Sequence, residues 1–178
     1  MIVARLAALA TLAFALGAQP KPTNDVDGWD KIKWGTTIAE ARSAYGVTSE
    51  PESKDNWILL KLNPVKIADI EMGVEVGAPA GEKTPAAGKI NSVKLWSFFG
   101  IPSSAPKAGP QDFDTLKAAL IREYGQPANE ETKRGENFRL IRTVLWNFPS
   151  TSILLTLEQS SSLPTLGNIY LDYSESRR

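Results

Sequence analysis

Hydrophobic side chains alternate with polar ones along much of this chain, and the densest apolar stretch lies toward its C-terminal end. Residues 138–158, FRLIRTVLWNFPSTSILLTLE, hold two apolar runs separated by the turn residues 149–151. Branched and aromatic side chains at strand length, interrupted by a Pro-Ser-Thr cluster, predict a β-hairpin.

The register of this hairpin follows from the predicted turn. If Phe148 lies opposite Ser152, then Trp146 faces Leu154, and both faces of the strand pair are apolar. A strand pair with one face in water should alternate apolar and polar residues. We therefore expect a central hairpin that is at least partly covered on both faces.

Other strands are predicted by shorter patterns. In 70–77, apolar residues alternate with Glu and Gly, which indicates an outer strand with one wet face. The stretch 78–88, rich in Gly, Pro and Ala, predicts a mobile hairpin tip. The polar run 129–137, NEETKRGEN, predicts a solvated loop. The further strands are predicted at 31–35, 57–62, 89–99 and 167–173.

Two helices are predicted by their end signals. Thr37 and Glu40 have the spacing of a capping box, and Gly46 ends that helix. A second helix begins near Asp112, carries apolar residues at helical spacing, and stops at Gly125. Both helices end in Tyr-Gly and are followed by strands, so an internal duplication stays open.

These elements predict an α+β fold, an antiparallel β-sheet of about six to eight strands with two helices packed on one face. We expect a signal peptide at 1–18, a flexible leader at 19–29, and a single α+β domain at 30–178.

The signal peptide is predicted from its own pattern. Arg5 precedes an apolar run from Leu6 to Leu16, and the small residues Gly17 and Ala18 follow. The run is shorter than the roughly 20 apolar residues of a membrane span. A core helix is the alternative. We expect an exported protein, periplasmic or secreted, whose mature form begins near Gln19.

Charge restricts the class of partner. The chain has 20 basic and 20 acidic residues, and Arg5 is the only charge in 1–18, so the remainder has 19 against 20, a net charge of −1. Without a basic stripe, nucleic acid and anionic membrane surfaces are not expected partners.

The chain contains neither His nor Cys. The usual general base, thiol nucleophile and zinc ligands are therefore missing, and no cofactor is expected. A calcium-binding loop is one interpretation of the closely spaced carboxylates Asp25, Asp27 and Asp30. Their spacing differs from that of an EF-hand, which favours an acidic leader and no metal site.

One aromatic group remains as a candidate binding site. If Val93 and Leu95 face the helices, large aromatic side chains collect on the opposite face of the sheet, where rigid rings can anchor a partner. The alternative is a second core layer covered by loops. The predicted binding residues are Trp96, Phe98, Trp146, Phe148 and Tyr170.

The motifs WGTT before a helix, YGQP after one, and WNFPSTSI resemble those of small exported bacterial proteins of unassigned function. They also resemble, faintly, the helix-plus-antiparallel-sheet units of β-lactamase-inhibitory-type proteins. The resemblance covers most of the chain after the signal segment and implies no catalytic residues.

Together these features predict an exported, non-enzymatic binding module with a protein or glycan of the cell envelope as partner. Two other hypotheses remain. One is a carboxylate-based hydrolase acting on envelope polymers, which two facing carboxylates in a pocket would favour. The other is a purely structural envelope component.

Overall fold

The computed structural model describes residues 25–81, 84–97, 109–135, 139–159 and 167–176. The predicted signal peptide, residues 1–18, lies outside these ranges, as does Phe98.

Within these ranges, eight strands form one fully antiparallel sheet, accompanied by two α-helices and a short 3₁₀ helix. This confirms the predicted α+β character and the antiparallel sheet. The helices are α1 (Ile38–Ala44) and α2 (Pro110–Tyr124), and the 3₁₀ helix is Pro85–Ala87. The strands are β1 (Glu52–Lys54), β2 (Trp57–Ile67), β3 (Ile70–Pro79), β4 (Ser92–Ser97), β5 (Asn129–Arg134), β6 (Leu140–Asn147), β7 (Thr151–Gln159) and β8 (Gly167–Glu175).

The strand order is β1-β2-β3-β4-β8-β7-β6-β5. Each half of the chain therefore supplies a helix followed by four consecutive antiparallel strands, and the halves join where β4 pairs with β8. The shared element order agrees with the Tyr-Gly ending that both helices carry in the sequence. Among the described helices, none is long and apolar enough to cross a membrane.

The core lies against one face of the sheet. Alternate residues of β4, β7 and β8 are buried, and the residues between them are half-buried or exposed. Cross-strand partners share a face, so the register joins the buried positions of all three strands into one surface. We call it the buried face. Ile38 of α1 and Phe113, Leu116 and Leu120 of α2 belong to the same core cluster.

Helix α1 begins with the predicted capping box. The Thr37 hydroxyl accepts a hydrogen bond from the Glu40 backbone N–H at 3.2 Å, and the Glu40 carboxylate accepts one from the Thr37 N–H at 2.8 Å. Two backbone donors of the first turn are thereby satisfied. Gly46, just beyond the helix, has a φ of 60°, as its predicted ending role requires.

Helix α2 ends where the sequence predicts. Gly125 follows its last residue with a φ of 80° and a ψ of −167°, a conformation that side chains disfavour. Its carbonyl accepts a hydrogen bond from the Trp146 indole N–H at 2.8 Å, which fixes the helix end to strand β6.

Replacing Gly125 by Ala should lower the free energy of unfolding by about 1–3 kcal/mol, because a Cβ is strained at this φ and ψ. Urea denaturation of the variant measures the loss. Gly81, for which an added Cβ meets nothing within 4 Å, provides the matched control. Equal denaturation midpoints for Gly125→Ala and Gly81→Ala would contradict the strained cap.

Asp25 and Val26 of the predicted leader are held against the hairpin, and Trp29 stacks on Tyr45 of the folded domain. The Asp25 carboxylate accepts hydrogen bonds from the Ser150 backbone N–H at 2.9 Å and from the Ser150 hydroxyl. The buried Thr151 hydroxyl donates to the Val26 carbonyl and accepts from the Trp34 indole N–H. Residues 25–29 are therefore part of the folded structure, which corrects the predicted leader boundary at residue 29.

Two strands were missed in the sequence. Strand β5 occupies the run predicted as a solvated loop, and the three-residue β1 precedes β2; every residue of both strands is exposed. They form the two edges of the sheet. Their charged side chains discourage pairing with another chain, as is usual for edge strands.

Candidate functional site

The register separates the predicted aromatic group onto two faces. Trp146 pairs with Ile153, Ile153 with Tyr173, and Tyr173 with Val93, so Trp146 lies on the buried face. Trp96 pairs with Tyr170 on the opposite face. The prediction that all five aromatics share one face is therefore wrong. The alternation within each strand was right, but Trp146 shares a face with Val93 and not with Trp96.

Trp146 and Phe148 are packing residues. The Trp146 side chain is 1% exposed, and its N–H is bonded to the end of α2. Phe148 is half-buried, with its ring centroid 5.9 Å from that of Tyr124 in α2. The enclosed Trp146 side chain cannot anchor a partner, and the Phe148 ring packs against Tyr124 of α2, away from Trp96 and Tyr170. Both residues are therefore removed from the candidate site. Phe98 lies outside the described residues.

Trp96 and Tyr170 remain, and a second tryptophan joins their face. We call the side of the sheet opposite the buried face the open face. Its residues in β4, β7 and β8 are all half-buried or exposed. Trp57, at the start of β2, has the same parity as Leu59, which pairs with Gly77 of this face, and it is 37% exposed.

Both tryptophans of the open face lie against glycines of β3. A Cβ at Gly73 would come within 2.8 Å of the Trp96 ring, and one at Gly77 within 3.2 Å of the Trp57 ring. Each indole thus occupies the space that a side chain would fill. Gly73 and Gly77 are four residues apart, so the indoles rest on positions separated by roughly 13 Å along β3.

Trp57 was missed because it begins an apolar run, WILL, that predicts a core strand. The sequence did contain one signal for an aromatic ring at this place, the two glycines on the wet face of the alternating stretch 70–77. Glycine inside a strand often marks the close approach of another group.

A row of charged residues crosses the open face between the two indoles. Glu75 pairs with Lys94, which pairs with Asp172. The Lys94 ammonium lies 5.0 Å from the centroid of the Tyr170 ring. Burial raises the pKa of the Asp172 carboxyl, and the nearby Lys94 charge partly lowers it. Within the described ranges, no ion pair or side-chain hydrogen bond satisfies the Asp172 carboxylate.

A row of small residues runs beside the charged one, and together they form a trough of about 470 Å³. Gly77, Ser92 and Ser174 are consecutive cross-strand partners, and their short side chains leave a depression. Trp57 closes one end. The charged row forms one wall, and Lys54 and Asp55 line the trough near the indole.

A larger cavity of about 680 Å³ lies beside α1 and the 3₁₀ helix. Its principal charged groups, Arg42 and Glu50, form an ion pair at 2.7 Å, and the Arg42 guanidinium also donates to the Thr48 carbonyl. These groups are satisfied by each other. In the trough, the half-buried Asp172 carboxylate has no donor among the residues that the structure describes, so the trough is the better candidate site despite its smaller volume.

The residues of the trough can form hydrogen bonds with a ligand and stack against it. Among the residues that the structure covers, no group of three or more His, Cys, Asp or Glu side chains could hold a metal ion. Asp25, one of the three aspartates that suggested calcium, is engaged by Ser150.

No protein-family model, curated protein or solved structure matches the chain. The resemblance to small exported bacterial proteins and to β-lactamase-inhibitory-type units therefore stays a prediction from short motifs.

Proposed function

We propose that the protein is an exported, non-enzymatic binding module of the bacterial cell envelope, and that it binds its partner on the open face. One observation carries this proposal. Trp57 and Trp96 are supported by glycines of a rigid sheet, and the row between them holds the half-buried Asp172 carboxylate, which has no donor among the described residues. Aromatic anchors on a rigid surface bind with little loss of side-chain entropy.

The arrangement of the helices supports the same proposal. Helix α2 contacts the buried face through Gly125 and Trp146, and Ile38 of α1 joins the core of that face. We infer that both helices cover the buried face, as the sequence predicted. The open face, where Trp57 is 37% exposed, is then the side of the sheet that a partner can reach.

The proposal predicts that replacing Trp57 and Trp96 together by Ala weakens retention on a bacterial envelope preparation by about tenfold or more, because anchors of this kind each contribute 1 kcal/mol or above. Retention of the labelled protein is measured by sedimentation with washed envelope fragments. Thermal unfolding of the variant checks that it remains folded.

Leu140→Ala is the matched control, since Leu140 is 36% exposed and has the parity of the buried face. Its retention should equal that of the unaltered protein. Equal retention of the control and a folded Trp57→Ala/Trp96→Ala variant would remove the open face as the binding surface. Absence of any retention would instead favour a purely structural component.

A carboxylate-based hydrolase of envelope polymers is the second candidate, and one observation favours it. The raised pKa of Asp172 suits a general acid, and Glu75 lies in the same trough two strands away. Release of new polymer ends by the unaltered protein, lost in Asp172→Asn, would establish this function. Binding without such release would exclude it.

A further inference from the structure

We propose that the ligand of the trough is an uncharged oligosaccharide, with a sugar ring against Trp57 and its hydroxyl groups bonded to the charged row. This inference rests on the proposed binding function and assigns its ligand class. Three properties of the trough support it: its exposed aromatic end, its unsatisfied polar wall and its size.

The aromatic end supplies the apolar contact. One side of a sugar ring presents C–H groups, which pack against the face of an indole, while the hydroxyls point outward to polar partners. Trp57 is held against Gly77, and more than a third of its surface remains free. The Trp57 ring is therefore preorganised, and little side-chain conformational entropy is lost when a sugar binds.

The polar wall suits hydroxyl groups. The half-buried Asp172 carboxylate requires donors and the Lys94 ammonium supplies them. The floor residue Ser92 donates its hydroxyl proton to the Gly77 carbonyl at 3.4 Å and can still accept a hydrogen bond. A sugar hydroxyl both donates and accepts, so one ligand can satisfy all three. A polar group left half-buried without a partner costs free energy, and a ligand that supplies the missing donor recovers it.

The mixture of charges favours an uncharged ligand. The trough contains two basic residues, Lys54 and Lys94, and three acidic ones, Asp55, Glu75 and Asp172. A polyanion would meet the carboxylates and a polycation the ammonium groups. Neither sign is concentrated enough to attract a strongly charged polymer.

A protein partner fits less well. Stable protein interfaces bury about 800 Å² on each side around a dry, apolar centre. Here the charged row separates Trp57 from Trp96 and Tyr170. Trp57 and Leu140 are the large hydrophobic residues that the described ranges leave exposed, and they lie on opposite faces. The trough volume instead falls within the range of small-ligand sites, about 300–1,000 Å³.

Strand addition by a peptide is also disfavoured. Both edges of the sheet, β1 and β5, consist of exposed polar and charged residues. Such edges resist pairing with a further strand. The observations therefore favour a glycan over an extended peptide.

Isothermal titration of the purified protein with cellotetraose and with chitotetraose tests the inference. We expect one of the two tetrasaccharides to bind measurably, and Trp57→Ala to raise its Kd by about tenfold or more. Ser174→Arg, which fills the trough and leaves Trp57 in place, should abolish binding. Thr132→Arg introduces the same side chain on the exposed edge strand β5, at a position that has the parity of the buried face, and should leave the Kd unchanged.

Failure of both tetrasaccharides to bind, or an unchanged Kd in a folded Ser174→Arg variant, would overturn the glycan assignment. The proposed function has a separate readout. Retention on envelope fragments that depends on Trp57 and Trp96 and is destroyed by protease digestion of the fragments would keep the binding function and replace the glycan with a protein. Protease-resistant retention that is competed by the bound tetrasaccharide would support both proposals.

Discussion

Replacing Trp146 by Ala should lower the free energy of unfolding by about 3–5 kcal/mol, the range for removing a large aromatic side chain from a core. The side chain is 1% exposed within the core of the buried face. Its loss also leaves the Gly125 carbonyl without the indole donor at the end of α2. Urea denaturation followed by far-UV circular dichroism measures the change.

Two controls separate the packing of Trp146 from its hydrogen bond. Trp146→Phe keeps most of the apolar volume and loses the indole N–H, so its loss of stability should lie between that of Trp146→Ala and zero. Trp57→Ala, on the open face, should cost much less because its side chain is partly solvated. A Trp146→Ala variant that unfolds at the normal urea concentration but loses envelope retention would return Trp146 to the binding site.

The features predicted best from the sequence depend on neighbouring residues. The capping box of Thr37 and Glu40 and the helix end at Gly125 both follow from side-chain chemistry within a few positions. The alternating stretch 70–77 likewise reveals its strand, because one face is buried and the other wet. Local chemistry of this kind does not depend on the rest of the fold.

The two missed strands lack any such signal. Strand β5 has the sequence NEETKR and buries no side chain, so neither its composition nor its period distinguishes it from a loop. It exists because β6 provides a ladder of antiparallel partners along its whole length. An edge strand that pairs through its backbone and buries no side chain cannot be recognised from a hydrophobic pattern.

The error in the hairpin has a long-range cause. Phe148 donates its backbone N–H to the Thr151 carbonyl, so the turn contains two residues, and Trp146 faces Ile153 where the sequence predicted Leu154. Thr151 is buried and bonded to Val26, which is 125 residues away along the chain. That contact is absent from any local pattern. A shift of one residue changes which side chains meet across the strands.

The candidate site was predicted in part for the same reason. Trp96 and Tyr170 were placed on the face opposite Val93 correctly, because the side-chain period within a strand is two. Trp146 was misplaced because parity does not tell which face of β6 the helices cover. The Trp146 indole donates its N–H to the Gly125 carbonyl at the end of α2, so it suits the core as well as an aliphatic side chain does.

The aromatic residues of the buried side also make the protein sensitive to alkali, which is the second large effect that we expect. Burial is the main cause that raises the pKa of Tyr124 to about 12, and it raises the pKa of Tyr173 well above its ordinary value. Burial and the Asp30 carboxylate raise the pKa of Tyr45 as well. All three hydroxyls therefore hold their protons more tightly in the folded protein than in the unfolded chain.

The sign follows from proton linkage. Above pH of about 10, the unfolded chain loses tyrosine protons that the folded protein retains, so stability is complete below that pH and falls as the pH rises toward about 12. The urea midpoint should therefore drop steeply across this interval. Tyr124→Phe/Tyr173→Phe removes two of the groups and their contact at 3.4 Å. The double variant should be slightly less stable than the unaltered protein at neutral pH, and its stability should fall less steeply in alkali. An identical pH dependence of the urea midpoint in the two proteins would contradict the role assigned to these buried hydroxyls.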